Sequence, residues 1–198
     1  MVVNSTEICN YALEFIGART IENLTDATRK REAELCNRYY DMSRRAVLRD
    51  HLWSFATKTS TLGLIAGDAP VGWDYAYQYP VDALYAYKLY SASITEKIAY
   101  EIRSNDTLTS KYLLTDQEEA TLIYVADADE ENLFDSLFVE ALAYRIAGTI
   151  VIPLKGDSVL QQSMTQNYLG AVTKAKASDS NEAYKTPLET NLLLDSRA

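Results

Sequence analysis

The side chains best suited to acid–base or nucleophilic chemistry are few and scattered along this sequence. Its single histidine, His51, stands at the predicted end of a helix, close to Trp53. A serine hydrolase with a strand-to-helix nucleophile turn would carry a G-x-S-x-G motif, which the sequence lacks. His51 is therefore predicted to interact favourably with the end of the helix dipole and not to serve as a catalytic base.

Motifs for phosphate and metal binding are also missing from the sequence. There is no G-x-x-x-x-G-K-[ST] and no G-x-G-x-x-G segment, the glycine-rich loops that hold phosphates. The acidic run Asp127, Asp129, Glu130 and Glu131 lacks the glycine and terminal glutamate of an EF-hand loop, and is interpreted as the solvated start of a helix. The sequence thus predicts no catalytic residue, no metal and no cofactor, although any two of its 28 acidic residues could approach in space as glycosidase carboxylates do.

The cysteines and apolar segments indicate folding in a reducing, aqueous compartment. Cys9 and Cys36 are too few for a disulfide scaffold and form no C-x-x-C motif, so both are predicted to be reduced and buried. The first residues show no basic segment followed by an apolar run, so no signal peptide is expected. The uncharged apolar stretch between Arg145 and Lys155 has nine residues, whereas a membrane span needs about 20. No membrane association is expected.

The elements that must position these side chains follow from hydrophobic periodicity, caps and alternation. The 198 residues are 47% hydrophobic and 24% charged, an ordinary globular composition. Asn4 and Asp26 are the predicted N-caps of the first two helices. The predicted elements are helices at 4–17 and 26–50, strand-like segments at 57–61, 75–79, 85–90, 98–102, 111–114 and 120–125, and helices at 133–154 and 158–177.

These elements predict an α+β fold. Two N-terminal and two C-terminal helices would form a four-helix bundle, with an inserted antiparallel β lobe and an extended C-terminal tail. The divisions are residues 1–53, 54–128, 129–177 and 178–198. Trp53 and Phe55, at the junction of helix and lobe, are predicted core residues.

Charge is unevenly distributed along the chain. The net charge of −9 disfavours wrapping of nucleic acid over the whole surface. Residues 29–50 nevertheless contain seven basic and four acidic residues, whereas residues 116–140 contain nine acidic and no basic ones. The pattern predicts either two solvated faces or a head-to-tail contact, in which Arg44 and Arg45 of one subunit meet the acidic segment of the next around a ring.

Tyrosine supplies further candidate contacts, with 15 Tyr against 4 Phe. Tyrosine is favoured where a surface becomes buried between chains, because its ring is apolar and its hydroxyl is polar. Trp73, Tyr75 and Tyr77 are predicted partner contacts, although some tyrosines are expected simply to cover the sheet.

The tail offers one apolar feature. Residues 178–198 are polar and sparse in apolar side chains apart from Leu192, Leu193 and Leu194. Because three leucines are costly to leave in water, they are predicted to anchor the tail in a groove on a partner. The alternative is a frayed terminus without function.

Several segments, in order, resemble a known family. They are ICNYALEFIG, RRAVLRDHLWSFATKTSTL, GWDYAYQYPVDAL, YEI, ATLIYVAD and FDSLFVEALAYRIAG. Over about residues 5–177 the chain resembles the head-to-tail connector adaptors, or tail tubular proteins A, of short-tailed, podovirus-type bacteriophages. HLWSFA and YAYQYPVDAL carry most of the specificity. Leu52 and Ser54 depart from the family's pattern, in which proline and asparagine surround the tryptophan.

The resemblance implies a structural virion protein and not an enzyme. Such adaptors form a ring, typically a dodecamer, beneath the portal protein; they receive the tail nozzle protein on the other side and leave a channel for DNA. DNA would pass during ejection without specific binding, and an acidic lumen would suit that passage. The implied location is the head–tail junction of the virion, after assembly in the host cytoplasm. The alternative function is a glycan- or peptidoglycan-degrading tail hydrolase, since some relatives have such activity.

Overall fold

The computed structural model describes residues 3–67, 69–90, 98–105 and 107–182. Two N-terminal and two C-terminal helices pack together, and two small antiparallel sheets of three strands are inserted between them. The predicted α+β class is confirmed. The elements are α1 Ser5–Phe15, α2 Lys30–Arg49, β1 Thr57–Thr61, β2 Tyr75–Gln78, β3 Ala83–Tyr90, β4 Glu101–Ser104, β5 Lys111–Thr115, β6 Thr121–Ala126, α3 Ser136–Lys155 and α4 Ser158–Glu182.

The first two helices begin differently. Asn4 caps α1 as predicted, because its side-chain oxygen accepts from the backbone N–H of Glu7 at 2.9 Å. The prediction of Asp26 as the N-cap of α2 is wrong, because the N-cap is Arg29, three residues later. Asp26 instead closes the preceding turn, where its carboxylate accepts from the hydroxyl and N–H of Thr28 and from the N–H of Glu22. These hydrogen bonds lower the pKa of Asp26 to about 2, since they favour its charged form.

The helical core is built around α3, which packs against α1, α2 and α4. Nine of its side chains are buried. Its length and mean hydropathy of 1.6 would suffice for a membrane span, but a helix surrounded by three others inside a protein has the same composition. Cys9 and Cys36 are free and buried in this core, as predicted.

An aromatic cluster joins the helical core to the lobe. Trp53 is 1% exposed, its ring centroid lies 5.1 Å from that of Phe138, and its Nε1–H donates to the carbonyl of Val47 at 3.0 Å. Phe55 is partly buried against the same core, with its ring 5.0 Å from that of Phe138. The prediction that Trp53 and Phe55 are core residues is confirmed.

The lobe consists of sheet I, in the order β1-β6-β3, and sheet II, in the order β2-β5-β4. Side chains of both sheets share a second hydrophobic core, which includes Tyr77, Leu89, Leu113, Leu122 and Tyr124. The other face of sheet I, here called its outer face, carries alternating residues such as Thr57, Thr59 and Thr61 of β1, Ile123 of β6 and Tyr85 and Tyr90 of β3.

The last helix continues five residues beyond its predicted end at 177, to Glu182. The predicted tail therefore began too early, because residues 178–182 are helical. The sequence of this turn contains no glycine or proline that would have stopped the helix. Leu192, Leu193 and Leu194 lie outside the described residues.

Candidate functional site

A cleft of about 790 Å³ lies where the helical core meets sheet I. The end of α2 and the turn after it form one side, β1 and β3 form the opposite side, and the last turn of α4 closes one end. Its lining residues are Arg49, Asp50, His51, Leu52, Ser54, Thr57, Tyr85, Tyr87, Asp179 and Ser180.

Asp179 anchors the last turn of α4 to this junction. One carboxylate oxygen accepts from the Ser54 backbone N–H at 3.0 Å and from the Ser54 hydroxyl at 2.6 Å. The other oxygen lies 3.1 Å from His51 Nε2. A catalytic triad places the histidine between serine and aspartate, whereas here both bind the same carboxylate. The cluster therefore positions the helix and does not activate Ser54.

The second carboxylate of the cleft is also engaged. The Tyr168 hydroxyl donates to Asp50 Oδ2, and the Arg145 guanidinium lies 5.2 Å from the centre of the Tyr168 ring. Burial, and then the hydrogen bond to Asp50, raise the pKa of Tyr168. Asp50 thus ties the end of α2 to α4, much as Asp179 ties α4 to the turn after α2.

Two exposed tyrosines form the lobe side of the cleft. Tyr85 pairs with Val125, but β3 contains an irregularity between Ala86 and Lys88, so that Tyr87 has no partner in the register with β6. Such a bulge turns a strand and redirects a side chain. Tyr85 and Tyr87 are 43% and 47% exposed. The predicted strand-like segment at 85–90 did not anticipate this irregularity.

Arg44 and Arg45 meet an acidic residue of their own chain. Arg44 is 3% exposed, its NH1 lies 2.7 Å from Asp127 Oδ1, and it donates to the carbonyl of Ala128. Arg45 is exposed, and its Nε lies 2.8 Å from Asp127 Oδ2. The predicted contact of Arg44 with another subunit is wrong, because a buried arginine that is already paired is not available. The spacing of four residues from buried Tyr40 was the signal that placed Arg44 on the inner face of α2.

The three aromatic contact candidates lie in the lobe, away from the cleft lining. Tyr77 is 2% exposed and its hydroxyl donates to the carbonyls of Gln117 and Glu118, so its predicted role as a partner contact is wrong. Its position on the inner side of β2 made it a core residue. Trp73 is half-buried and donates from Nε1 to Glu101 at 3.0 Å, and Tyr75 packs beside Tyr77.

A comparison with protein families found no match, and a search of curated proteins found none either.

Within residues 3–67, 69–90, 98–105 and 107–182, no group of three or more histidine, cysteine or acidic side chains is placed to hold a metal ion.

Replacing Asp179 with alanine is expected to lower the free energy of unfolding by about 2 kcal/mol. The Ser54 N–H and hydroxyl donate to a largely buried, charged carboxylate, and hydrogen bonds to a charged acceptor are stronger than those to a neutral one. Ser180→Ala, at the exposed neighbouring position, is the matched control. Urea denaturation of both variants measures the difference. Equal stability of the two variants would show that the anchor contributes nothing.

Proposed function

We propose that the protein is the head-to-tail adaptor of a short-tailed bacteriophage. It would form a ring, of dodecameric type, between the portal protein and the tail nozzle, and line the channel through which DNA is ejected. The observation that carries the proposal is the ordered resemblance of the segments between residues 5 and 177 to that family, and an architecture of helices with an inserted β lobe is compatible with it.

The segments that carry the resemblance support the proposal by their positions. HLWSFA places Trp53 and Phe55 in the aromatic cluster of the helical core. YAYQYPVDAL places Tyr77 and Tyr79 in the core of the lobe. The resemblance therefore rests on residues that build the junction of core and lobe and the interior of the lobe, and a shared architecture would require them.

The lobe also presents apolar side chains at the tips of its loops. Val71, Val81 and Leu108 are 100%, 98% and 82% exposed. Leu108 in addition has a positive φ of 56°, a conformation that costs a residue with a Cβ roughly 1–2 kcal/mol. In a ring adaptor such tips are suited to insert into a neighbouring subunit or the nozzle, where their apolar surface would leave water.

The mass of the particles in solution, alone and with the portal protein of the same phage, tests the proposal. An adaptor is expected to give a defined oligomer, or to form one when portal is added. A protein that stays monomeric under both conditions would contradict the proposal.

Removing residues 183–198 is expected to leave the protein folded but to weaken its attachment to the portal strongly. The cut must follow Glu182, because ending the chain at Ala177 would also delete Asp179 and its bonds to Ser54. A full-length chain with serine at 192, 193 and 194 is the matched control for the leucines. Portal binding by surface plasmon resonance is the measurement, and unchanged affinity of both variants would place attachment in the folded domain.

A glycan hydrolase is the second candidate, favoured by one observation: the cleft contains the carboxylates of Asp50 and Asp179 beside exposed Tyr85 and Tyr87. A pair of carboxylates is typical of glycosidase sites. Both carboxylates already accept hydrogen bonds within the protein, which favours a structural role. Turnover of peptidoglycan that is lost in Asp50→Asn and Asp179→Asn, and retained in Ser180→Ala, would support the hydrolase.

A further inference from the structure

The cleft continues onto the outer face of sheet I, where tyrosine side chains are exposed. Thr57 and Tyr85 both pair with Val125 at the end of the outer face nearest the helical core. Further along that face, Tyr90 is 50% exposed. Tyr85 and Tyr87 line the cleft itself, so exposed tyrosine side chains extend from the cleft along sheet I. Tyrosine rings bury apolar area while their hydroxyls stay hydrated, so such a surface suits a docked peptide.

The last described residues of the chain lie at this cleft. Asp179 and Ser180 line it, and α4 ends at Glu182, less than one helical turn beyond them. Sixteen residues, 183–198, follow.

The length and composition of the segment fit a return across the cleft. Leu192 is ten residues beyond Glu182, a reach of up to about 33 Å when extended. Between 183 and 194 the charged residues are Lys185 and Glu189, so the segment has no net charge to oppose docking. Its three consecutive leucines are the apolar groups that gain most from leaving water.

We propose that residues 183–194 dock in the cleft of their own chain in the free subunit, with Leu192, Leu193 and Leu194 against Tyr85 and Tyr87. Docking would remove the rings of Tyr85 and Tyr87 and the three leucine side chains from water together. This inference does not depend on the proposed function. Two other results would contradict this proposal: the cleft could hold the same segment of a neighbouring copy, or it could be empty.

Disulfide trapping in the full chain, without any partner protein, tests the docking. Thr57→Cys lines the cleft and Asn191→Cys precedes the leucines, while Cys9 and Cys36 are buried. The control pair joins Asn191→Cys to Thr173→Cys, an exposed position on α4 about 14 Å from Glu182. A docked segment is expected to give an intramolecular disulfide at least about tenfold faster in the first pair, since docking raises the local thiol concentration.

A further variant shows whether the leucines are responsible. Serine at positions 192, 193 and 194 is expected to reduce the rate of the Thr57–Asn191 pair to that of the control pair. Equal rates for the two pairs with the leucines present would overturn the proposal. Disulfides formed mainly between chains would also overturn it, because the occupant would then be a second copy.

Discussion

Replacing Trp53 with alanine is expected to lower the free energy of unfolding by about 3–5 kcal/mol, which is typical for truncation of a buried tryptophan. Trp53 is 1% exposed and contacts the rings of Phe55 and Phe138. The substitution also removes the indole N–H that donates a hydrogen bond to the Val47 carbonyl. The substitution thus opens a cavity where the helical core meets the lobe.

Trp73→Ala is the matched control for this change, because Trp73 is half-buried and lies in the loop before β2. Chemical denaturation monitored by far-UV circular dichroism measures both variants. We expect a clearly smaller loss for Trp73. If Trp53→Ala kept its stability but lost binding to a tail protein, Trp53 would be a binding residue and not part of the core.

Arg44→Ala is expected to cost about 1.5–3 kcal/mol of stability, because the contacts of a buried guanidinium with a carboxylate and a backbone carbonyl are lost, while Asp127, whose side chain is 20% exposed, keeps Arg45 as a partner. Arg44 contacts Asp127 and the carbonyl of Ala128 from a position that is 3% exposed. Arg45→Ala is the control, since Arg45 binds the same carboxylate from an exposed position, where a pair contributes about 0–1 kcal/mol. Similar losses in the two variants, measured by urea denaturation, would contradict the buried pairing.

This pairing changes how a charged ring contact should be tested. Reversing Arg44 and Arg45 together would disrupt the monomer, so loss of assembly would say nothing about an interface. Arg38 lies on the exposed side of α2 and offers a cleaner site. If the basic face of α2 contacts a neighbouring subunit, Arg38→Glu should weaken assembly without changing the stability of the monomer. Normal assembly of this variant would count against that contact.

The helices and most strands were predictable from the sequence because their signals are local. The Asn4 cap, the core helix α3 and the alternation of β1 depend on neighbours within a few residues. The inner position of Arg44 was missed, although its spacing of four residues from Tyr40 places both side chains on one face of the helix. A charged side chain at a core position simply requires a buried partner.

The cleft was not predictable in the same way. Asp179 contacts Ser54 across 125 residues of sequence, and a helix end that extends past its predicted limit is decided by such tertiary contacts. The bulge that exposes Tyr87 depends on the register of β3 with β6. The alternation of residues along β3 alone carries no information about that register. Both features depend on contacts between segments that are far apart in the sequence.

Electron microscopy of the full-length protein mixed with the portal protein of the same phage tests the central claim most directly. We expect a ring of this protein stacked coaxially on the portal ring, with an open channel through both. Class averages that show bare portal rings beside free monomers, at concentrations where both proteins are folded, would contradict it.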